Sequence, residues 1–259
     1  MFRVFGIQLS LHVSFFLLLA YFAFEGWKTG GVEGAAWSVL LIILFFGCVV
    51  LHELGHSLTA MRYGVRVPRI LLMPIGGMAE MDHIPRKPSA ELWITIMGPA
   101  VNFAIVLMLL PVIWNAQWFS QRLHFQDFGA VVALLAQANL LMGLFNLLPV
   151  FPMDGGRILR ALLATRMPHL RATYWAATSG KVLAGAFALI AFFYFNKPLL
   201  GALFLFIFYA GDAEYRQVLI REREAAYQAE FWRRVAAMRA RDVTENEPPE
   251  PPIIMLPPR

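Results

Sequence analysis

The segment VVLHELGHSLTAMRYG, residues 49–64, lies at the end of a long apolar run and places two histidines and a glutamate inside it. Ionisable side chains within a membrane span are energetically costly and usually mark a functional site. His52 and His56 are four residues apart, so on a helix both imidazoles lie on one face. Glu53 stands next to the first histidine. The segment therefore predicts a membrane helix that carries a functional site.

The H-E-x-x-H pattern of residues 52–56 is typical of a helix that presents two histidines to one zinc ion, at about 2.0–2.1 Å from their nitrogens. Glu53 would stand beside the ion, where a general base takes a proton from metal-bound water. The alternative is that two unrelated core histidines fall four residues apart by chance. A helix rises about 1.5 Å per residue, so Cys48 lies roughly 12 Å from His56 and is expected only to pack.

Catalytic zinc usually has three protein ligands and one open position, so the sequence must supply a third ligand. Asp154 follows the fourth apolar run, in the segment FNLLPVFPMDGGRILRALL (145–163). Pro149 and Pro152 exclude an ordinary helix there, and irregular backbone at membrane depth is tolerated only where it is buried in protein or faces water. We predict that Asp154 is the third ligand. The alternative is that it caps a helix beginning near Arg157.

The composition is that of a membrane protein. The 259 residues are 59% hydrophobic and 15% charged, whereas about a quarter of the residues in soluble proteins are charged, and the mean hydropathy is +0.59. Six apolar runs predict membrane helices: 10–24, 37–60, 91–114, 129–150, 172–196 and 198–210. No small-residue cleavage site follows the first run, so we expect it to be retained. The single cysteine excludes an internal disulfide and a cysteine-based zinc cluster.

Lysine and arginine are distributed unequally between the two sides of these runs. One side collects Arg3, Arg62, Arg66, Arg69, Arg86, Lys87, Arg157, Arg160, Arg166, Arg171 and the arginines from Arg216 onward, whereas the other has Lys28, Arg122 and Lys197. This asymmetry predicts that both termini are cytoplasmic, and we expect a multi-pass protein of the cell (inner) membrane. It also explains the net charge of +5 as a topology signal and an attraction to anionic lipid. The lipid bilayer, and not nucleic acid, is therefore the expected partner of the basic residues.

The chain changes character after Gly211, which suggests three parts. Residues 1–211 form the transmembrane core. Residues 212–242 combine near-helical apolar spacing with many arginines, which predicts a cytoplasmic amphipathic helix on the membrane or against a regulatory partner. Residues 243–259 are rich in proline and are expected to be a flexible tail.

Other residues within the apolar runs have ordinary structural explanations. Gly98 and Pro99 would permit close approach of two helices, and Asn102 is expected to bond backbone across the bundle. Lys181 could be a functional cation, but we expect it to extend toward the cytoplasmic surface.

These motifs resemble those of the site-2 protease family of intramembrane zinc metalloproteases. The resemblance rests on HELGH at 52–56, NLLPVFPMDGGR at 146–157, IGGM at 75–78, GPAVN at 98–102 and the opening GIQLSLHVSFF, and it covers the chain to about residue 210. The most similar subgroup lacks CBS domains. The resemblance implies an all-α polytopic fold of about six transmembrane helices with a small re-entrant β-hairpin. Residues 65–82, which read as two short strands around glycines, are expected to form this hairpin.

The resemblance also implies site roles. One zinc ion per chain is bound by His52, His56 and Asp154, and Glu53 is the catalytic base. Asn146, Pro149 and Pro152 are implied to position the substrate, while Gly76 and Gly77 are either substrate contacts or ordinary turn glycines.

The implied activity is hydrolysis of a peptide bond within or near the transmembrane segment of a single-span membrane protein. Such cleavage is regulated intramembrane proteolysis, with zinc-bound water activated by Glu53. Two alternatives from other classes stay open at this point. One is a membrane transporter of transition metals, which would need no base, and the other is an inactive relative that serves as a binding module.

Overall fold

The structure is a computed structural model that describes residues 2–74, 76–82, 85, 87–115 and 128–241. Its elements are β1 (Phe2–Val4), β2 (Ile7–Leu11), α1 (Val13–Arg62), β3 (Arg69–Met73), β4 (Gly76–Glu80), α2 (Pro88–Trp114), α3 (Phe128–Asn146), α4 (Asp154–Ala164), α5 (His169–Phe193) and α6 (Pro198–Arg241). The predicted helical fold with a small hairpin is confirmed. The predicted tail, 243–259, lies outside the described residues.

Four helices in the described part of the chain are long and apolar enough to cross a membrane, namely α1, α2, α3 from Gly129 onward, and α5. They account for the first five of the six predicted spans, although the predicted spans 10–24, 129–150 and 172–196 extend beyond the ends of α1, α3 and α5. The protein is therefore a multi-pass integral membrane protein. The sixth predicted span, 198–210, lies in α6, which is not among these four helices, and it stays a prediction.

Helix α1 joins the first two predicted spans across a kink. Gly30 and Gly31 leave helical geometry, and Gly31 has a φ of +62°, which glycine adopts readily. The rings of Phe15 and Phe46 lie 4.8 Å apart, so the two halves of α1 fold back on each other. The second half of this helical hairpin carries the H-E-x-x-H motif into the centre of the protein.

The β-hairpin predicted within residues 65–82 is part of a larger sheet. β3 and β4 pair antiparallel, and β2 adds to β3 in parallel, giving the order β1-β2-β3-β4 with β4 at one edge. Strands β1 and β2 were not predicted, and the first membrane helix begins at Val13 rather than near residue 10. The alternation of apolar and polar residues in IQLSL, residues 7–11, is the signal that indicates β2.

Helix α3 ends at Asn146, and residues 147–153 are turns, as the two prolines in this segment require. Helix α4 then begins at Asp154 and folds back on these turns. A Cβ at Gly155 would stand 2.1 Å from Leu148 O, so only glycine permits this close contact. The fold-back holds Asp154 against the second half of α1.

A buried cluster of charged groups fixes α4 relative to its neighbours. Arg160 Nε on α4 donates a hydrogen bond of 2.7 Å to Glu91 Oε1 on α2, and Arg160 Nη1 donates one of 3.3 Å to Glu214 Oε1 on α6. His169 Nε2 on α5 is 3.7 Å from Glu91 Oε2. Because Arg160 and Glu91 are each only 1% exposed, these pairs join four helices in the interior.

The predicted runs 172–196 and 198–210 belong to separate helices, because α5 ends at Phe193 and α6 begins at Pro198. Helix α6 runs without interruption through Gly211, so the division into parts 1–211 and 212–242 stays a prediction. Lys181 on α5 is paired with Asp212 on α6 and is not a free cation. Hydrogen bonds from Lys181 and Arg216 hold the pKa of Asp212 below its ordinary value.

Candidate metal centre

Three predicted ligands converge in the structure. The Nε2 atoms of His52 and His56 are 3.1 Å apart, and Asp154 Oδ2 lies 3.3 Å from the first and 3.2 Å from the second. His52 and His56 are 5% and 8% exposed. Residues that are about one hundred positions apart in the sequence thus form a small buried triangle of nitrogen and oxygen atoms.

The dimensions of this triangle fit zinc. Ligand atoms at about 2.0–2.1 Å from a tetrahedral ion are about 3.3 Å from one another, which matches the three separations of 3.1–3.3 Å. Asp154 Oδ2 is buried without a hydrogen-bond partner, although buried carboxylate oxygens are normally satisfied. The alternative role of Asp154 as a helix cap is not found, because the N-cap of α4 is Met153. Two imidazoles and one carboxylate leave one zinc position open for chemistry.

The other ring nitrogen of each histidine is occupied by the protein. His56 Nδ1 is 2.8 Å from Ile94 O, a carbonyl oxygen that can only accept, so Nδ1 donates. His52 Nδ1 is hydrogen-bonded to Asn102 Oδ1. A proton on Nδ1 leaves the Nε2 lone pair free for a metal, and this arrangement is usual for metal-binding histidines.

Close contact between α1 and α2 places both histidines. A Cβ at Gly55 would stand 2.6 Å from Met97 O, and a Cβ at Gly98 would stand 2.1 Å from His56 Nε2. At both positions the interface between the helices has no room for a side chain, so glycine is required there. The predicted close approach at Gly98 is therefore confirmed, and its reason is the proximity of the metal centre.

Glu53 lies beside the triangle and is positioned by the sheet. The backbone N–H of Ala79 on β4 faces its carboxylate. A Cβ at Gly77 would stand 2.7 Å from Glu53 Cγ, so this glycine makes room for the glutamate side chain. The structure thus shows a packing role for Gly77, whereas Gly76 has φ of +135° and nothing within 4 Å of an added Cβ. Substrate contact by either glycine stays a prediction.

A cavity of 680 Å³ contains the triangle and Glu53. Asn146 and Pro152 line this cavity, as does the edge strand β4. Pro149 instead lines a small apolar pocket against α5 and α6. The substrate roles predicted for these three residues remain predictions, and two of the three, Asn146 and Pro152, line the cavity that contains the triangle.

The sequence did not identify every residue that contributes to the site. Asn102 was expected to bond backbone across the bundle, but its side chain bonds His52 and Asn139. Glu214, Gln217 and Arg221 of α6 line the cavity, although the segment beyond Gly211 was expected to lie on the membrane or a partner. Their polar character was visible in the sequence, whereas their position against the cavity was not.

Comparison with known proteins identifies the family. The model of peptidase family M50 matches residues 40–121 and 115–187, which together include the three triangle residues and Glu53. The chain belongs to peptidase family M50. Its fold matches the solved structure of a site-2 protease from Methanocaldococcus jannaschii with a TM-score of 0.58 and 38% identity, over 83% of this chain and 94% of that one. The resemblance to site-2 proteases is thereby confirmed.

Several M50 relatives are similar over most of the chain. A protein named zinc metalloprotease from M. jannaschii is 41% identical over 218 residues, which are 84% of this chain and 60% of that protein. A putative zinc metalloprotease, Rip2, from Mycobacterium tuberculosis is 30% identical over 64% of this chain and 73% of its own length. Stage IV sporulation protein FB from Bacillus subtilis is 32% identical over 63% of this chain and 51% of its length. The chain therefore spans less than two thirds of some of these relatives.

Proposed function

We propose that this M50 protein is an intramembrane zinc metalloprotease. It would hydrolyse a peptide bond within or near the membrane segment of another membrane protein. The convergence of ligand atoms from His52, His56 and Asp154 within 3.3 Å of one another, in the same cavity as Glu53, is the observation that carries the proposal. The names of two of the relatives, a zinc metalloprotease from M. jannaschii and a putative zinc metalloprotease from Mycobacterium tuberculosis, support the same metal and the same activity.

The three ligands would hold the ion, which when bound supplies a Lewis acid that polarises the scissile carbonyl and acidifies water. The carboxylate of Glu53 takes a proton from the attacking water and then delivers it to the nitrogen of the leaving amine. The contact with Ala79 restrains this carboxylate on the cavity side of α1. Asn146 lines the same cavity, and we assign its amide to donate a hydrogen bond to the negatively charged oxygen that forms.

The substrate we propose is a single-span membrane protein whose helix unwinds near the scissile bond. A peptide bond within a helix is already hydrogen-bonded and crowded, so it must become extended before attack. Strand β4 lies at the edge of its sheet and lines the cavity. The edge of a sheet can pair with an extended peptide by strand addition. This arrangement would hold the substrate beside Glu53 and would serve regulated intramembrane proteolysis.

We further propose that the protein lies in the cell (inner) membrane with both termini in the cytoplasm, as the unequal distribution of arginine and lysine indicates. The exposed face of α6 beyond Gly211 would bind a regulatory partner. Tyr227 and Trp232 on this segment are 44% and 53% exposed. Crosslinking from this segment in native membranes should capture such a partner, and capture of lipid alone would contradict the assignment.

Cleavage of single-span test substrates in vesicles tests the proposed function. The wild-type protein should cut at least one member of a panel, and Glu53→Gln should be at least about 100-fold slower at equal zinc content, since a general base contributes about 10²–10⁴-fold. Glu25→Gln is the matched control, because Glu25 lies on the same helix but is surface-exposed and paired with Lys28. Zinc transport into the vesicles without cleavage would instead favour a transporter, and zinc binding without either activity would favour a binding module.

A further inference from the structure

A series of buried amide groups leads from the metal centre to the backbone of α3. His52 Nδ1 is hydrogen-bonded to Asn102 Oδ1, Asn102 Nδ2 donates a bond of 2.9 Å to Asn139 Oδ1, and Asn139 Nδ2 donates one of 2.8 Å to Leu135 O. Both asparagines are 0% exposed. Buried amides that only joined two helices would not need to contact a metal ligand.

The direction of each bond follows from the last one. Leu135 O is a backbone carbonyl, which can only accept, so Asn139 must direct its NH₂ group toward it. The Oδ1 of Asn139 then faces Asn102 and requires a donor there. Asn102 consequently presents its NH₂ group to Asn139 and its oxygen to His52. The ring of His52 is therefore held with the proton on Nδ1 and the lone pair on Nε2.

We propose that Asn139 is a positioning residue for the metal centre and acts on His52 through Asn102. It does not contact the triangle of ligand atoms. Its role is to keep the Asn102 amide in the orientation that accepts from His52 Nδ1. This inference rests on the proposed function, because it concerns the ability of that same site to bind zinc.

Loss of Asn139 should weaken zinc binding without removing any ligand. In Asn139→Leu the NH₂ group of Asn102 has no acceptor, so the amide can rotate and direct NH₂ toward His52. The imidazole must then accept on Nδ1 and carry its proton on Nε2, where it blocks the metal. Changes to groups that hold a ligating histidine typically reduce metal affinity by about 10–100-fold, and we expect a reduction in this range.

A double-mutant cycle separates this role from packing. In Asn102→Asp both side-chain oxygens accept, so the carboxylate bonds His52 Nδ1 whether or not Asn139 is present. Asn139→Leu should therefore reduce zinc affinity by about 10–100-fold in the wild-type background and by less than about 3-fold in the Asn102→Asp background. The thiol of Cys48 also contacts Asn139, and loss of that contact is common to both backgrounds.

Zinc affinity is measured by competition with a chelator in the full-length protein in detergent, and thermal unfolding of the zinc-free proteins checks that each variant folds. Asn139→Ala replaces the leucine variant in the same cycle if the latter does not fold. Gln137→Leu is the matched control, since Gln137 carries an exposed amide on α3, the helix that also carries Asn139. The zinc affinity of this variant should equal that of the wild type.

Equal losses in the two backgrounds would overturn the inference, as would an unchanged affinity in Asn139→Leu, while leaving the proposed protease function intact. Failure of the wild-type protein itself to bind zinc would overturn both.

Discussion

The glycine at position 98 provides a sharp test of how the metal centre is built. A Cβ added there would stand 2.1 Å from His56 Nε2, 2.3 Å from His56 Cε1 and 2.9 Å from His52 Cε1. Real Cβ atoms essentially never approach another heavy atom within 3.0 Å. Gly98→Ala therefore forces a displacement at the atoms that would bind the ion.

The size of the displacement follows from these distances. His56 Nε2 must move by about 0.9 Å to reach the 3.0 Å limit and by about 1.3 Å to reach an ordinary contact of 3.4 Å. Metal–ligand distances are held within about 0.2 Å. The ring cannot simply rotate away, because its Nδ1 atom is bonded to Ile94 O. Separation of α1 from α2 by the same distance would also move the histidines relative to Asp154.

We therefore expect Gly98→Ala to lower zinc affinity by more than about 100-fold, beyond the usual effect of changes outside the ligand set. Substrate cleavage should fall with zinc occupancy. Zinc content and chelator competition measure the first effect, and the vesicle assay measures the second. Gly47→Ala is the matched control, because Gly47 lies on α1, the helix that carries both histidines, and a Cβ there would meet nothing within 4 Å. Full zinc occupancy in Gly98→Ala with wild-type cleavage would refute this account of the site.

Three further predictions concern the base, the buried charges and pH. Gly77→Ala should displace the Glu53 side chain, so it should slow cleavage while zinc content stays unchanged; loss of zinc would contradict this. Arg160→Met leaves the carboxylate of Glu91 buried and without its main partner, and should lower the free energy of unfolding by about 3–5 kcal/mol, measured with denaturant in detergent; a loss below about 1 kcal/mol would contradict it. Because the pKa of Asp212 is lowered in the folded state, its ion pairs stabilise the protein fully above the unfolded pKa of about 3.9, and this stabilisation is lost as the pH falls from there through the lower folded pKa. Unfolding measured at pH 6 and pH 3 should therefore show that Asp212→Asn is less destabilising at pH 3 than at pH 6, and an equal loss at both values would exclude this ion pair as the cause.

The ligand set could be predicted from sequence because its chemistry depends on local spacing. Two histidines four residues apart on a helix share a face wherever the helix lies. Asp154 could be predicted for a different reason. The prolines before it and the glycines after it place an acidic residue on irregular backbone at membrane depth, which is hard to explain unless the residue binds a metal ion. Both interpretations needed only the segments that contain these residues.

The supporting residues could not be predicted in the same way because they depend on which helices meet. Asn102 and Asn139 are single polar residues within apolar runs, and only the packing of α2 against α1 and α3 connects them to His52. The role of Gly77 similarly depends on the position of β4 beside Glu53. The strand β2 is a separate case, because its alternating pattern was present in the sequence but adjoined an apolar run that dominated the interpretation.

The central claim is that His52, His56 and Asp154 bind one zinc ion, and X-ray absorption at the zinc edge of the purified full-length protein tests it most directly. We predict one zinc per chain, with two imidazole nitrogens and one carboxylate oxygen at about 2.0–2.2 Å. In Asp154→Ala the protein oxygen should be lost and zinc affinity should fall. A spectrum without imidazole, or with a sulfur ligand at about 2.3 Å, would contradict the account.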